Sequence, residues 1–169
     1  MAQKLKYFFG YTAIFLLVLS ASIAFTINFT PLYSFDIDYL NIEQMTGFSK
    51  DVILDNYRVL MRYLNLPWIA DLKMSDFPAS ESGLFHFHEV KRLFLLDYAI
   101  LGVSAVASIL FLRMVKKEQG YWRMLNPLRL MVASPLVALT VIFMNFDRLF
   151  VAFHGVFFNN DAWIFDART

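Results

Sequence analysis

Three long stretches of the chain contain almost no charged residue. Residues 8–29 hold 22 uncharged positions, residues 93–112 hold 20 positions with Asp97 as the exception, and residues 130–146 hold 17 uncharged positions. A helix needs about 20 predominantly apolar residues to cross the hydrocarbon core of a bilayer. The pattern therefore predicts three membrane spans.

The boundaries of the first and third spans depend on local signals. Lys4 and Lys6 precede the first apolar run, and residues 22–24 resemble a signal-peptide cleavage site. Because the apolar run continues beyond that site, we favour a retained span over a cleaved signal peptide. Before the third span, Asn126 and Pro127 predict an N-cap and a first-turn proline.

Basic residues are concentrated in two short segments. Residues 1–7 and 113–129 contain 7 Lys and Arg in 24 positions, whereas the long segment 30–92 contains 6 in 63. Segments rich in Lys and Arg remain on the cytoplasmic side of a membrane. We therefore predict a multi-pass plasma-membrane protein with a cytoplasmic N-terminus and a cytoplasmic loop 113–129. Residues 30–92 and the return segment 147–169 are then external.

The external segment carries its own periodic patterns. Apolar and polar residues alternate over residues 33–39, which predicts a half-buried strand, while residues 49–64 show the helical spacing of an amphipathic helix. Residues 66–72 mix Trp68 and aliphatic side chains with charges, as in interfacial segments. The expected fold is mainly α, a single polytopic membrane domain of bundled helices with a small external α+β cap.

Composition narrows the chemistry. Hydrophobic residues make up 59% of the chain and charged residues 17%, above and below the usual values for a soluble domain. The net charge of +1 disfavours nucleic acid as a partner. The chain has no cysteine, which excludes disulfides, thiolate metal sites and a cysteine nucleophile. Any catalysis would use the three histidines and the carboxylates.

The histidines form two groups on the predicted external side. His86 and His88 introduce the second span, and His154 follows the third. If these spans are antiparallel neighbours, their outer ends meet, and His86 or His88 lies near His154. On a helix His86 and His88 would point in different directions, whereas on a strand they would share a side.

Asp97 lies one turn inside the second span. A carboxylate facing lipid is costly, so Asp97 should face the bundle and pair with Arg92, Arg148 or a histidine. Taken singly, each polar residue here could simply sit at headgroup level. Taken together at one membrane depth, they favour a functional site.

Two stretches resemble a known family. Residues 86–91 read His-Phe-His-Glu-Val-Lys, and residues 154–158 read His-Gly-Val-Phe-Phe, followed by Asn-Asp-Ala-Trp-Ile-Phe-Asp at 160–166. These motifs and the order of spans are similar to those of the lipoprotein intramolecular transacylases of Gram-positive bacteria. Relatives more often have Asp at the position of Glu89, and they are expected to continue into a fourth span.

The resemblance implies an acyltransferase. Its reaction moves an acyl chain from the sn-2 glycerol ester of a diacylglyceryl lipoprotein to the α-amino group of the N-terminal cysteine, which gives an N-acyl lyso-form lipoprotein. The substrate amine is the nucleophile, so histidine general acid/base catalysis suffices, with no metal and no cofactor. The partners implied are the lipoprotein and membrane lipid. The implied site comprises the catalytic pair His86 and His154, supporting residues His88, Glu89, Asp161 and Asp97, and possible substrate contacts Lys91, Arg92 and Trp163.

Two alternatives of different classes remain at this stage. One is a metal-dependent membrane hydrolase with His86, His88 and His154 as ligands and Glu89 as base, which a chelator would inactivate. The other is a membrane assembly or sensor protein without enzymatic activity, whose histidines contact headgroups. Replacement of His86 and His154 without a phenotype would favour that second alternative.

Overall fold

The computed structural model describes residues 1–164 of the chain. Within this part of the chain the regular structure is entirely helical. The helices are α1 (Ala2–Asn28), α2 (Thr30–Tyr39), α3 (Ile42–Thr46), α4 (Lys50–Asn65), α5 (Glu81–Lys117), α6 (Leu125–Met144) and α7 (Phe146–Phe157), and a 3-10 turn (Tyr121–Met124) precedes α6.

Three of these helical stretches are long and apolar enough to cross a membrane. They are Gln3–Asn28, Glu81–Lys117 and Tyr121–Met144, with 26, 37 and 24 residues. The helical membrane protein predicted from the apolar runs is confirmed. At 1.5 Å per residue, α5 is about 55 Å long, well beyond the roughly 30 Å of a hydrocarbon core.

The strand predicted over residues 33–39 is wrong, because this segment forms helix α2. Ile37 is fully buried, and the ring of Tyr33, one turn earlier, stacks on Tyr57 at 4.0 Å. Phe35 and Tyr39 stack on each other at 5.7 Å and are exposed. The apolar residues therefore occupy two faces of a helix, and the α+β cap is replaced by helices and a linker.

Helix α4 was predicted by its spacing, and that prediction is confirmed. Its buried side chains Ile53, Tyr63 and Leu64 recur at helical intervals, and Leu72 from the following linker packs against the last two. Residues 66–80 form no helix or strand. The linker is tied back to α4 by Asn56, whose Nδ2 donates to Asp76 at 2.7 Å.

The third apolar helix begins differently from the prediction. The 3-10 turn runs directly into α6, so Met124 occupies the N-cap position and Asn126 lies within the first helical turn. A preceding turn that already has near-helical geometry removes the need for a capping side chain. Helix α6 ends at Met144, and α7 starts after Asn145.

The described part of the chain forms two compact units. Unit 1 comprises residues 1–21 and 99–160, and unit 2 comprises residues 22–98 and 161–164. The core of unit 1 contains the buried residues Tyr7, Ile14, Phe111, Val115 and Met124.

A glycine permits close helix packing inside unit 1. A Cβ atom at Gly10 of α1 would lie 2.1 Å from the ring of Phe111 on α5. No real Cβ contact is that short, so the two helices approach this closely only because residue 10 has no side chain.

Candidate active site

His86 lies in the second turn of α5, within unit 2. It is 8% exposed, and its ring centroid is 6.2 Å from that of Phe87. Burial restricts the positions that this imidazole can take, and a defined position is what an acid/base group requires.

His88 points away from His86. Residues two positions apart on a helix point in directions about 200° apart, and His88 is exposed. The alternative in which a strand carries both histidines on one side is therefore wrong. Among residues 1–164, no three His, Asp or Glu side chains gather closely enough to bind a metal ion.

His154 lies in the last turn of α7, within unit 1. Its Nδ1 atom is 2.7 Å from the carbonyl oxygen of Phe150. A carbonyl oxygen only accepts, so Nδ1 must carry the proton that is donated. In the neutral imidazole Nε2 then has the lone pair, and the backbone of α7 thereby fixes the tautomer.

Aromatic rings surround His154. The centroids of Phe150, Phe153 and Phe158 lie 4.2, 5.5 and 5.5 Å from the imidazole centroid. Phe158 is buried and the imidazole is half-buried. The rings restrict the orientations of the imidazole and limit the water around it.

Lys91 is turned inward rather than toward solvent. It is 7% exposed, its Nζ donates to the carbonyl of Ile69 at 2.5 Å, and it lies 4.3 Å from the ring centroid of Tyr63. As placed, Lys91 fastens the linker between α4 and α5 onto α5. The neighbouring Arg92 is exposed.

The predicted pairing of Asp97 does not occur within the described part of the chain. Its Oδ2 atom is buried without a hydrogen-bond partner there, and it forms no ion pair there. Arg92 precedes Asp97 by five residues on α5, which places the two side chains about 140° apart. That separation rules out a contact between Asp97 and Arg92.

Sequence reasoning missed a hydrogen-bonded chain beside Asp97. Asn28 donates from Nδ2 to the hydroxyl of Tyr98 at 2.8 Å, and this hydroxyl donates to Oδ1 of Asn65. The three residues join the ends of α1 and α4 to α5 within unit 2. The available signal was the occurrence of an asparagine at the end of two helices.

The remaining predicted site residues lie in unit 2. Glu89 and Trp163 are half-buried, and Asp161 is exposed with its carbonyl accepting from the amide of Ile164 at 3.0 Å. Residues 165–166, the end of the resembling stretch, lie outside the described residues. His86 belongs to unit 2 and His154 to unit 1.

Comparison with known proteins identifies the family. A family model described as lipoprotein intramolecular transacylase Lit matches residues 8–169. The chain belongs to this family. Family membership implies that it is a transacylase, and the three apolar helices agree with a membrane-integral protein. A search of curated proteins finds no match.

Solved structures of a Lit protein share the fold. The membrane-integral lipoprotein intramolecular transacylase Lit from Bacillus cereus superposes with a TM-score of 0.90 at 26% identity, covering 98% of this chain and 77% of that one. In two further structures of the same protein, one histidine is replaced. The alanine variant superposes with a TM-score of 0.84 at 25% identity, and the arginine variant with a TM-score of 0.69 at 28% identity. They cover 98% and 99% of this chain and 75% and 80% of theirs.

Proposed function

We propose that this protein moves an acyl chain within a diacylglyceryl lipoprotein, from the sn-2 ester oxygen to the α-amino group of the N-terminal cysteine. The proposal combines family membership with one observation, the bond from Nδ1 of His154 to the backbone carbonyl of Phe150. Because of that bond, Nε2 is the basic nitrogen of His154, which phenylalanine rings surround. The product is an N-acyl lyso-form lipoprotein.

The substrate nitrogen must lose two protons, and the departing oxygen must gain one. His154 takes a proton from the substrate ammonium through Nε2 and releases it to solvent, and the free amine attacks the ester carbonyl. The positively charged nitrogen of the tetrahedral intermediate then gives a second proton to Nε2. The oxyanion collapses with cleavage of the bond to the sn-2 oxygen, which accepts a proton and leaves as an alcohol. One ester is lost, one amide is formed and one proton is released overall, so no water or cofactor is consumed.

We assign His86 the complementary role. Its imidazole supports the oxyanion or protonates the departing sn-2 oxygen, which matches a histidine held at a buried position. Both reacting groups belong to one substrate molecule, so positioning can supply on the order of 7–11 kcal/mol of the barrier in well-oriented cases. Histidines and a shaped site are then sufficient, without an enzyme nucleophile.

The other predicted residues have supporting roles in the proposal. Glu89, one turn from His86 on α5, and Asp161 orient imidazoles, whereas the exposed Arg92 and the half-buried Trp163 contact substrate. The basic segments 1–7 and 113–129 lie in the cytoplasm, so the histidines act at the external face.

Replacement of the histidines tests the proposal. The assay is conversion of a synthetic diacylglyceryl lipopeptide to its lyso form, followed by mass spectrometry with EDTA present. His86→Asn and His154→Asn should each lower the rate by about 100-fold or more, and the double variant should be hardly slower than either single variant.

The control is His88→Asn, which changes an exposed histidine on the same helix. It should keep most of the activity. Full activity of His154→Asn, or a His88→Asn variant as inactive as His86→Asn, would show that the pair is assigned wrongly. Loss of wild-type activity in EDTA would instead favour the metal-dependent alternative.

The tautomer can be measured directly. With three histidines in the chain, ¹⁵N-labelled histidine gives few imidazole signals, and His154→Asn identifies the one of interest. The His154 signals should be those of a neutral ring protonated at Nδ1. A ring protonated at Nε2 would contradict the assigned role of that nitrogen as base.

A further inference from the structure

An apolar groove runs between α1 and α6 within unit 1. It encloses about 360 Å³, and its walls include Phe8, Tyr11 and Phe15 from α1 and Leu130, Met131 and Ser134 from α6. The groove lies along apolar stretches of two membrane-spanning helices, so its natural environment is hydrocarbon rather than water.

Positive charge lies at one end of the groove. Lys4 precedes Phe8, Tyr11 and Phe15 by four, seven and eleven residues, which places it on the same face of α1 and beyond the end of the groove. The guanidinium of Arg123 lies at the same level, because its Nη1 donates to the hydroxyl of Tyr7, the residue before Phe8, at 3.4 Å. Both residues are exposed.

The surrounding charge is also positive. Residues 1–7 and 113–129 contain seven basic residues and a single acidic one, Glu118. Glu118 accepts from the hydroxyl of Tyr7 at 3.0 Å and lies 3.9 Å from Nη1 of Arg123. It offsets part of the charge of Arg123 and leaves Lys4 as an uncompensated cation.

The length of the groove falls within one lipid leaflet. Its lining on α1 runs from Phe8 to Phe15, seven residues or about 10 Å of helix, about a third of the roughly 30 Å hydrocarbon core. A partner helix crossing the whole membrane would need about three times that length of contact. An acyl chain attached to a headgroup at the level of Lys4 has the required length and polarity.

We propose that this groove binds an anionic glycerophospholipid, with an acyl chain between α1 and α6 and the phosphate beside Lys4 and Arg123. Basic pockets between membrane helices are suited to acidic headgroups. The bound lipid would hold the N-terminal part of α1 against α6. This site is separate from the histidines and does not depend on their chemistry.

Native mass spectrometry of the full chain tests the proposal. The detergent-purified protein is given an equimolar mixture of phosphatidylglycerol and phosphatidylcholine with matched acyl chains, and the retained lipid is counted. Phosphatidylglycerol should be retained in preference. Lys4→Gln should weaken its binding about fivefold, and Lys4→Gln with Arg123→Gln roughly 30-fold.

A matched control is available in the same basic segment. Lys116→Gln with Lys117→Gln also removes two charges, from exposed positions that do not line the groove. This pair should change binding by less than twofold. Equal losses in the two double variants would mean diffuse electrostatic attraction and would overturn the proposal, as would equal retention of the two lipids.

A second variant tests the acyl part of the site. Ser134→Trp places a large apolar side chain in the groove on a face that is exposed. It should displace the bound phosphatidylglycerol while the protein elutes as the wild type does. If the Arg123 variant fails to fold, Lys4→Gln and Ser134→Trp decide the question. Undiminished binding in either one refutes the site.

Discussion

Replacing Lys91 separates a supporting role from a substrate contact. Lys91→Met removes the bond to the carbonyl of Ile69 and the contact with the ring of Tyr63. A hydrogen bond from a charged group contributes about 1.5–3 kcal/mol and a cation–π contact about 0.5–2 kcal/mol. Methionine is easier to bury than an ammonium, which recovers part of the loss. We expect a net destabilisation of about 2 kcal/mol.

The measurement is thermal unfolding of the full chain in lipid nanodiscs, combined with hydrogen–deuterium exchange of the linker. A loss of that size lowers the Tm by roughly 4–8 °C in a protein of this length. Exchange should become faster in residues 66–74, because the linker loses its attachment to α5. Lys91→Arg, which keeps a cation and a donor, should retain much of the wild-type Tm and much of the exchange protection of the linker.

Arg92→Met is the matched control, because Arg92 is the exposed neighbour of Lys91 on the same helix. Its stability should change by less than about 0.5 kcal/mol. If Lys91→Met keeps the wild-type Tm and linker protection but binds lipopeptide more weakly, then Lys91 is a substrate contact. The supporting role derived from its buried position would be refuted.

Three further predictions concern packing, acid stability and topology. Gly10→Ala should destabilise unit 1 by about 1–3 kcal/mol in thermal unfolding through its collision with the Phe111 ring, whereas Gly102→Ala, with open space around it, should not. Hydrogen bonds from Asn56 and Ser75 hold the pKa of Asp76 below its usual range. The ionised carboxylate of Asp76 therefore stabilises the folded protein at neutral pH, and this stabilisation is lost as the pH falls through the lowered pKa. Asn56→Leu should therefore move acid unfolding to higher pH, and an unchanged acid limb would contradict this. A cysteine introduced at position 119 should resist an impermeant reagent in intact cells, and rapid labelling would place the loop 113–129 outside.

The parts of the fold that the sequence predicts correctly are those with one dominant physical cause. An apolar run long enough to cross a bilayer has few alternatives to a membrane helix, and α4 shows its burial in a single helical stripe. Helix α2 was misassigned because its apolar residues lie on two faces. An exposed aromatic pair is unremarkable at a membrane interface, so Phe35 and Tyr39 produce alternation without a strand.

The candidate site was predictable in its residue types but not in its contacts. The family motifs single out His86 and His154, whereas the partner that fixes the tautomer of His154 is a backbone carbonyl, which leaves no trace in residue identity. Lys91 shows the same limit. Its charge suggests exposure, and only the position of the linker carbonyl of Ile69 explains its burial. Asp97 was expected to pair with Arg92, Arg148 or a histidine because a carboxylate facing lipid is costly, but its angular separation from Arg92 on the helix prevents that contact.

The uninterrupted length of α5 restricts how this protein can vary. Within unit 2, α5 joins the turn that carries His86 to Tyr98, whose hydroxyl donates to Asn65 of α4, without a break in the helix. One residue inserted between them would turn His86 by about 100° and shift it by about 1.5 Å relative to that contact, whereas seven inserted residues, nearly two turns, would restore its direction but shift it by about 10 Å. This part of the helix therefore fixes both the distance and the direction of His86. Insertions and deletions among relatives should accumulate in linkers such as residues 66–80 and be rare between His86 and Tyr98.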